Sequence, residues 1–132
     1  MSTLGPRILV IEDSAVIWRL IRATCEESWD LSWEADGVAG LGAVHDDPPD
    51  LVILDIGLPL MDGWAVLAGI RHHEASADVP VLVLTAHADS TSRDRARSGG
   101  ANAFMTKPFR PADLRATVNV LLDRSPSSST GR

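Results

Sequence analysis

Three carboxylates, a hydroxyl and an ammonium stand at the ends of four short apolar runs. Glu12 and Asp13 follow Ile8-Leu9-Val10-Ile11. Asp55 follows Leu51-Val52-Ile53-Leu54, and Thr85 follows Val81-Leu82-Val83-Leu84. Lys107-Pro108 comes after Ala103-Phe104-Met105. A parallel sheet would bring all four run ends to one edge and gather these groups in one pocket. Carboxylates there suit a hard divalent cation such as Mg2+, which takes oxygen ligands and keeps several waters. Without a cation they would repel, and at least one pKa would rise. Asp55 is the candidate nucleophile, because aspartate carboxylates attack phosphorus to form acyl phosphates. Lys107 would neutralise one phosphoryl oxygen, the cation a second, and the Thr85 hydroxyl would donate to a third.

Each residue alone has a plainer reading. Acidic residues and serines after strands cap the next helix, which accounts for Asp13 or Ser14. Lys107 could pair with one carboxylate, and Thr85 could satisfy a loop backbone group. None of these explains four chemical groups at four matched run ends.

The elements that must position them are legible in the hydrophobic pattern. Runs 8–11, 51–54 and 81–84 are continuous aliphatics without polar alternation. That is the pattern of strands buried on both faces under covering helices. Leu31–Ala35 and Asn102–Met105 are weaker strands, as edge positions should be. Helical stretches lie between. From Ser14 to Ser28, Ile17, Leu20, Ile21, Thr24 and Ser28 share one face, with Ser14 as N-cap. Val38–His45 reads as a short second helix, weakened by Gly40 and Gly42. Trp64–His73 is a third. Pro111–Leu122 is a fifth, with Leu114, Val118, Leu121 and Leu122 facing inward. The fourth, Ser90–Ser98, offers Ala88 and Ala96 but no large apolar residue, while Arg93, Arg95 and Arg97 alternate through it. It reads as either a solvated surface helix or a loosely held switch element. Strand and helix alternate five times, which implies a doubly wound α/β domain with its site at the carboxyl ends of the strands.

Composition narrows the class. The chain has 132 residues, 45% apolar and 23% charged, which fits one soluble domain with a real core. Its net charge of −6 argues against a general nucleic-acid binder. No run approaches a membrane span, and no apolar signal region precedes the first strand, so the expected location is cytoplasmic. The lone Cys25 cannot form an internal disulfide. Residues 1–124 are expected to form the domain, and the Ser/Pro-rich 125–132 a disordered tail or the start of a linker.

The motifs Ile11-Glu12-Asp13, Asp55-Ile-Gly-Leu-Pro-Leu-Met-Asp-Gly63, Leu84-Thr85-Ala86 and Phe104-Met-Thr-Lys107-Pro108-Phe109 together resemble the receiver domain of two-component response regulators. The resemblance covers roughly residues 7–123, with motifs in the family's order and spacing. It implies a single flavodoxin-like domain, with a five-stranded parallel sheet in the order 2-1-3-4-5 flanked by five helices. It implies that Asp55 is the phosphoacceptor for a histidine kinase or histidine phosphotransfer protein. Glu12, Asp13, Asp55 and the backbone carbonyl of Gly57 would hold Mg2+. Lys107 would contact the phosphoryl group, Thr85 would move toward it, and Phe104 would rotate inward behind Thr85. The Lys107-Pro108 bond would be cis. The face made by the fourth helix, fifth strand and fifth helix would change and control a protein effector, and a dimer formed on phosphorylation is compatible with that. The chain would catalyse only its own phosphorylation and dephosphorylation. Trp18, on the first helix, is a candidate partner contact or a partly buried packing residue. The Glu-Asp pair replaces the family's commoner Asp-Asp. Gly57 and His87 stand where the family tunes phosphate lifetime.

Other readings fit the same residues less well or extend them. The chain could be the receiver half of a longer transcription factor. An aspartate-nucleophile phosphatase needs an acid two residues after the nucleophile, where this chain has Gly57. A nucleotide or flavin binder needs a phosphate-cradling loop after the first strand, where this chain has Glu12-Asp13. His45, His72, His73 and His87 are not spaced as a metal set, and His72-His73 reads as solvated surface.

Overall fold

The computed structural model describes residues 5–86 and 89–124. The expectations for 125–132, His87 and Ala88 lie outside the described residues. Five strands, β1 (Arg7–Ile11), β2 (Asp30–Glu34), β3 (Leu51–Asp55), β4 (Val81–Thr85) and β5 (Ala103–Thr106), alternate with five helices. These are α1 (Ala15–Thr24), α2 (Gly37–Asp46), α3 (Gly63–His72), α4 (Ser90–Ser98) and α5 (Pro111–Arg124). All strand pairs are parallel, in the order 2-1-3-4-5. The doubly wound fold and its strand order are as expected.

Burial explains the order. Every residue of β3 and β4 is buried, and in β1 all but Arg7. A strand covered on both faces cannot hold polar residues between its ends, hence the unbroken aliphatic runs. Alternate residues feed two cores. Ile8, Val10, Leu51, Ile53, Leu82 and Leu84 meet Ile21 of α1 and Leu114, Val118 and Leu121 of α5. Leu9, Ile11, Val52, Leu54, Val81 and Val83 meet Val44 of α2, Val66, Leu67 and Ile70 of α3, and Ala96 of α4. Each Val, Leu or Ile among them contributes roughly 1.5–3 kcal/mol by leaving water. The partly exposed β2 and β5 take the edges.

Side-chain caps start four helices. Ser14, Asp36, Asp62 and Asp89 accept from the N–H of Ile17, Ala39, Ala65 and Ser92 at 3.2, 2.8, 2.9 and 2.7 Å. Each satisfies an amide the helix cannot pair internally.

Several boundaries differ from the sequence expectation. The first helix ends at Thr24 rather than Ser28, because Cys25 closes it and Trp29 must turn into the core. Ser28 is therefore exposed, and so is Leu20 at 38%, on the edge of the buried stripe rather than within it. The second helix is longer than expected. Gly40 serves it, since a Cβ there would come within 2.7 Å of Ile11 side-chain carbons. A single 3-10 turn at Glu74–Ser76 is an addition to the expected elements. α4 buries one residue, Ala96. Its C-terminal turn is fixed by Arg71, which donates to the Gly100 carbonyl at 3.0 and 2.8 Å and to Asn102 Oδ1 at 2.9 Å.

Candidate functional site

The sheet brings the predicted residues together. Glu12 follows β1, Asp55 and Thr85 are the last residues of β3 and β4, and Lys107 follows β5. They line one open cleft of about 460 Å³ with Asp13 and Gly57. Carboxylate oxygens of Glu12, Asp13 and Asp55 lie within 4.8 Å of one another. Glu12, Asp55 and Thr85 are buried, whereas Asp13 is exposed.

Lys107 bridges two of the acids. Its Nζ lies 2.9 Å from Glu12 Oε1 and 3.2 Å from Asp55 Oδ1. Asp55 Oδ1 also accepts from the Gly57 amide at 3.2 Å. Glu12 Oε2 accepts from the Ser14 amide at 3.1 Å. Glu12 Oε1 is buried, and the Lys107 ammonium is the contact it makes among the described residues. Burial pushes the Glu12 carboxyl above its ordinary value, despite the opposing contacts with Lys107 and Ser14. Burial pulls the Lys107 ammonium down, but Glu12 and Asp55 outweigh it and its pKa is raised. Three carboxylates clustered at one edge, two of them buried, are a donor set whose chemistry fits Mg2+.

The surrounding loops have local causes. The Lys107-Pro108 peptide is cis, as expected. The loop after Asp55 reverses through Leu60, which has φ 69° and is 83% exposed. Gly63 closes that loop, because a Cβ there would lie 2.6 Å from the Asp55 carbonyl oxygen. Phe104 is half-buried on β5, beside Val83 of β4.

Some neighbours are not visible in the sequence. Trp64, expected only to open a helix, lines the cleft. Arg95 lies over its ring at 4.6 Å, and Arg93 over Phe104 at 4.8 Å. Arg93 and Arg95 of α4 thus cover aromatics as well as facing solvent. Their alternate spacing was the available signal, but it does not reveal aromatics from other elements. Trp18 stacks on Trp33 with centroids 5.4 Å apart, so it is at least partly a packing residue. His72 and His73 are exposed, as expected, and the His73 ring meets that of His45 with centroids 4.0 Å apart.

A doubly wound α/β domain with an acidic cleft at the carboxyl edge of its sheet defines the class. The chain matches the response regulator receiver domain family over residues 8–119, and it belongs to that family. It is 36% identical over 121 residues to the DNA-binding dual master transcriptional regulator RpaA of Synechocystis, covering 91% of this chain and 50% of that protein. It is 36% identical over 126 residues to the DNA-binding response regulator MtrA of Mycobacterium tuberculosis, covering 95% and 54%. The chain spans about half the length of these relatives. The receiver domain of the Francisella response regulator 1452 superposes with a TM-score of 0.84 at 26% identity, covering 91% of this chain and 98% of that one. Among the described residues, no helix is long and apolar enough to cross a membrane.

Proposed function

We propose that this receiver accepts a phosphoryl group on Asp55 from a histidine kinase or histidine phosphotransfer protein, in a Mg2+-dependent step. The observation that carries the reading is Asp55 itself. It is buried at the end of β3, with Lys107 Nζ 3.2 Å from Oδ1 and two more carboxylates within 4.8 Å. The Lys107 and Gly57 contacts both fall on Oδ1, which supports attack through Oδ2.

An Asp55 oxygen forms a bond to phosphorus as the N–P bond of the donor phosphohistidine breaks. The departing imidazole keeps that electron pair and takes a proton from water, and an acyl phosphate remains on Asp55. Lys107 pairs with one phosphoryl oxygen, and Thr85 donates its hydroxyl hydrogen to another. Glu12, Asp13, Asp55 and the Gly57 carbonyl would hold Mg2+, which when bound neutralises charge on the transferring group. Apart from this self-modification the domain signals rather than catalyses.

Thr85 moving toward the phosphate and Phe104 turning in behind it would alter the α4–β5–α5 face. The half-buried Phe104 and the single buried residue of α4 support that route. The output is a protein effector or a second copy of the domain, with neither nucleic acid nor membrane contacted directly by this domain in the cytoplasm. Trp18, half-buried on α1, is the proposed contact for the phosphodonor protein.

The test is intact mass after incubation with acetyl phosphate, with and without Mg2+, beside Asp55→Asn. A Mg2+-dependent gain of one phosphoryl group, absent in the variant, is expected. No gain in any condition refutes the reading.

The relatives favour a second layer. RpaA and MtrA are DNA-binding regulators about twice this length. On that reading this domain is the input half of a transcriptional regulator. An immunoblot of the host cell, sizing the native protein, separates it from a stand-alone receiver.

A further inference from the structure

The loop that carries Glu12 and Asp13 is held from one side by a residue the chemistry above does not use. The Trp33 indole Nε1–H donates to the Glu12 backbone carbonyl at 2.6 Å. On the same residue, the Glu12 amide donates to the Glu34 carbonyl at 3.1 Å, so β2 grips both backbone groups of Glu12. The indole is itself fixed. It stacks on Trp18, with an interplanar angle of 13°. Both rings pack against the core between the sheet and α1. On the other side of the same loop, the Ser14 amide donates to Glu12 Oε2 while the Ser14 hydroxyl caps α1.

From this geometry we infer that Trp33 is a positioning residue for the cation site, acting through the Glu12 carbonyl. The inference rests on the Mg2+-binding part of the proposed function. A carbonyl held by a rigid donor fixes the turn from which the Glu12 and Asp13 carboxylates depart. Three carboxylates within 4.8 Å repel, so the loop must be restrained against spreading before a cation arrives. An indole is suited to this, since it donates one hydrogen bond from a ring that packing immobilises. Outer groups that orient ligands typically change metal affinity by about tenfold or more. Trp18 lies on the proposed phosphodonor face, so a partner pressing on it would bear on the same loop through the stack.

The experiment compares Mg2+ affinity in wild type, Trp33→Phe and Trp29→Phe, by isothermal titration calorimetry. The phenylalanine in the first variant keeps an aromatic ring for the stack but has no donor. Trp29 belongs to the same core cluster but sits at the opposite end of β2, and serves as the control for a lost core indole. The expected result is Mg2+ binding weakened on the order of tenfold in Trp33→Phe, and by less than about twofold in Trp29→Phe. In 15N-labelled wild type, the Trp33 indole N–H signal should move with Mg2+ along the same binding curve. Equal affinities for wild type and Trp33→Phe, or an indole signal indifferent to Mg2+, would overturn the inference while leaving the phosphoacceptor reading intact. Equal weakening in both variants would assign the effect to packing and also overturn it. Absence of Mg2+ binding in wild type would remove both. Should Trp33→Phe prove unfolded, the indole titration alone decides.

Discussion

Replacing Glu12 by glutamine should have opposite effects on stability with and without Mg2+. Glu12 is 1% exposed, and burial raises its pKa above the ordinary 4.5. The folded chain therefore holds the Glu12 proton more tightly than the unfolded chain does. Glu12 thus favours the fold at low pH, and that contribution is lost as pH rises from about 4.5 through the raised value. In chelator at pH 7, Glu12→Gln removes a buried charge and leaves Lys107 with Asp55, so the variant should melt above wild type. Below pH 4.5 the two should converge. Magnesium reverses the order. At a concentration about 100 times its Kd, a cation stabilises the native state by about 2.7 kcal/mol. At about 4 °C per kcal/mol for a domain of this length, wild type should gain roughly 10 °C. Loss of a ligand that weakens binding about 100-fold would leave the variant a gain of only about 0.4 kcal/mol, or roughly 2 °C, at the same concentration. Thermal melts with EDTA or MgCl2, followed by circular dichroism, read both effects. A metal-free variant less stable than wild type would show that the Lys107 pair outweighs desolvation and would refute the reasoning. Equal Mg2+ shifts would remove Glu12 from the site.

Three other outcomes are expected. Gly63→Ala places a Cβ 2.4 Å from the Ile56 Cα and should cost about 1–3 kcal/mol, whereas Gly57→Ala meets nothing within 4 Å and should stay within about 0.5 kcal/mol; urea denaturation distinguishes them. Arg95→Ala uncovers the Trp64 ring, so amides of α4 should exchange roughly two- to fivefold faster by hydrogen–deuterium exchange, and unchanged rates would contradict the Arg–Trp hold on the helix. Burial pushes the Cys25 thiol to about 11, so iodoacetamide should react about 100-fold more slowly at pH 8 than with a free thiol of pKa 9. The stability this thiol confers is complete below pH 9 and lost as pH climbs through about 11; alkylation at the free-thiol rate at pH 8 would count against its burial.

Much of the fold was written in one-dimensional pattern. The aliphatic runs ending at Ile11, Leu54 and Leu84 announced buried strands, because a strand covered on both faces has no place for polar residues. The candidate site was legible for the same reason: Glu12, Asp13, Asp55 and Thr85 stand where such runs stop, Lys107 follows the weaker edge run, and a parallel sheet puts those stops on one edge. Helix ends were less legible, since Trp29 turning into the core shortened the first helix against its own periodicity. What only the tertiary structure decided is contact between elements distant in sequence. Nothing near Trp33 indicates that its N–H meets the Glu12 carbonyl, 21 residues away. The spacing of Arg93 and Arg95 does not say which rings they cover. Periodicity reports which face of an element is buried. The partner on that face depends on how the helices settle on the sheet, and that is fixed by packing across the whole core rather than by any local stretch of chain.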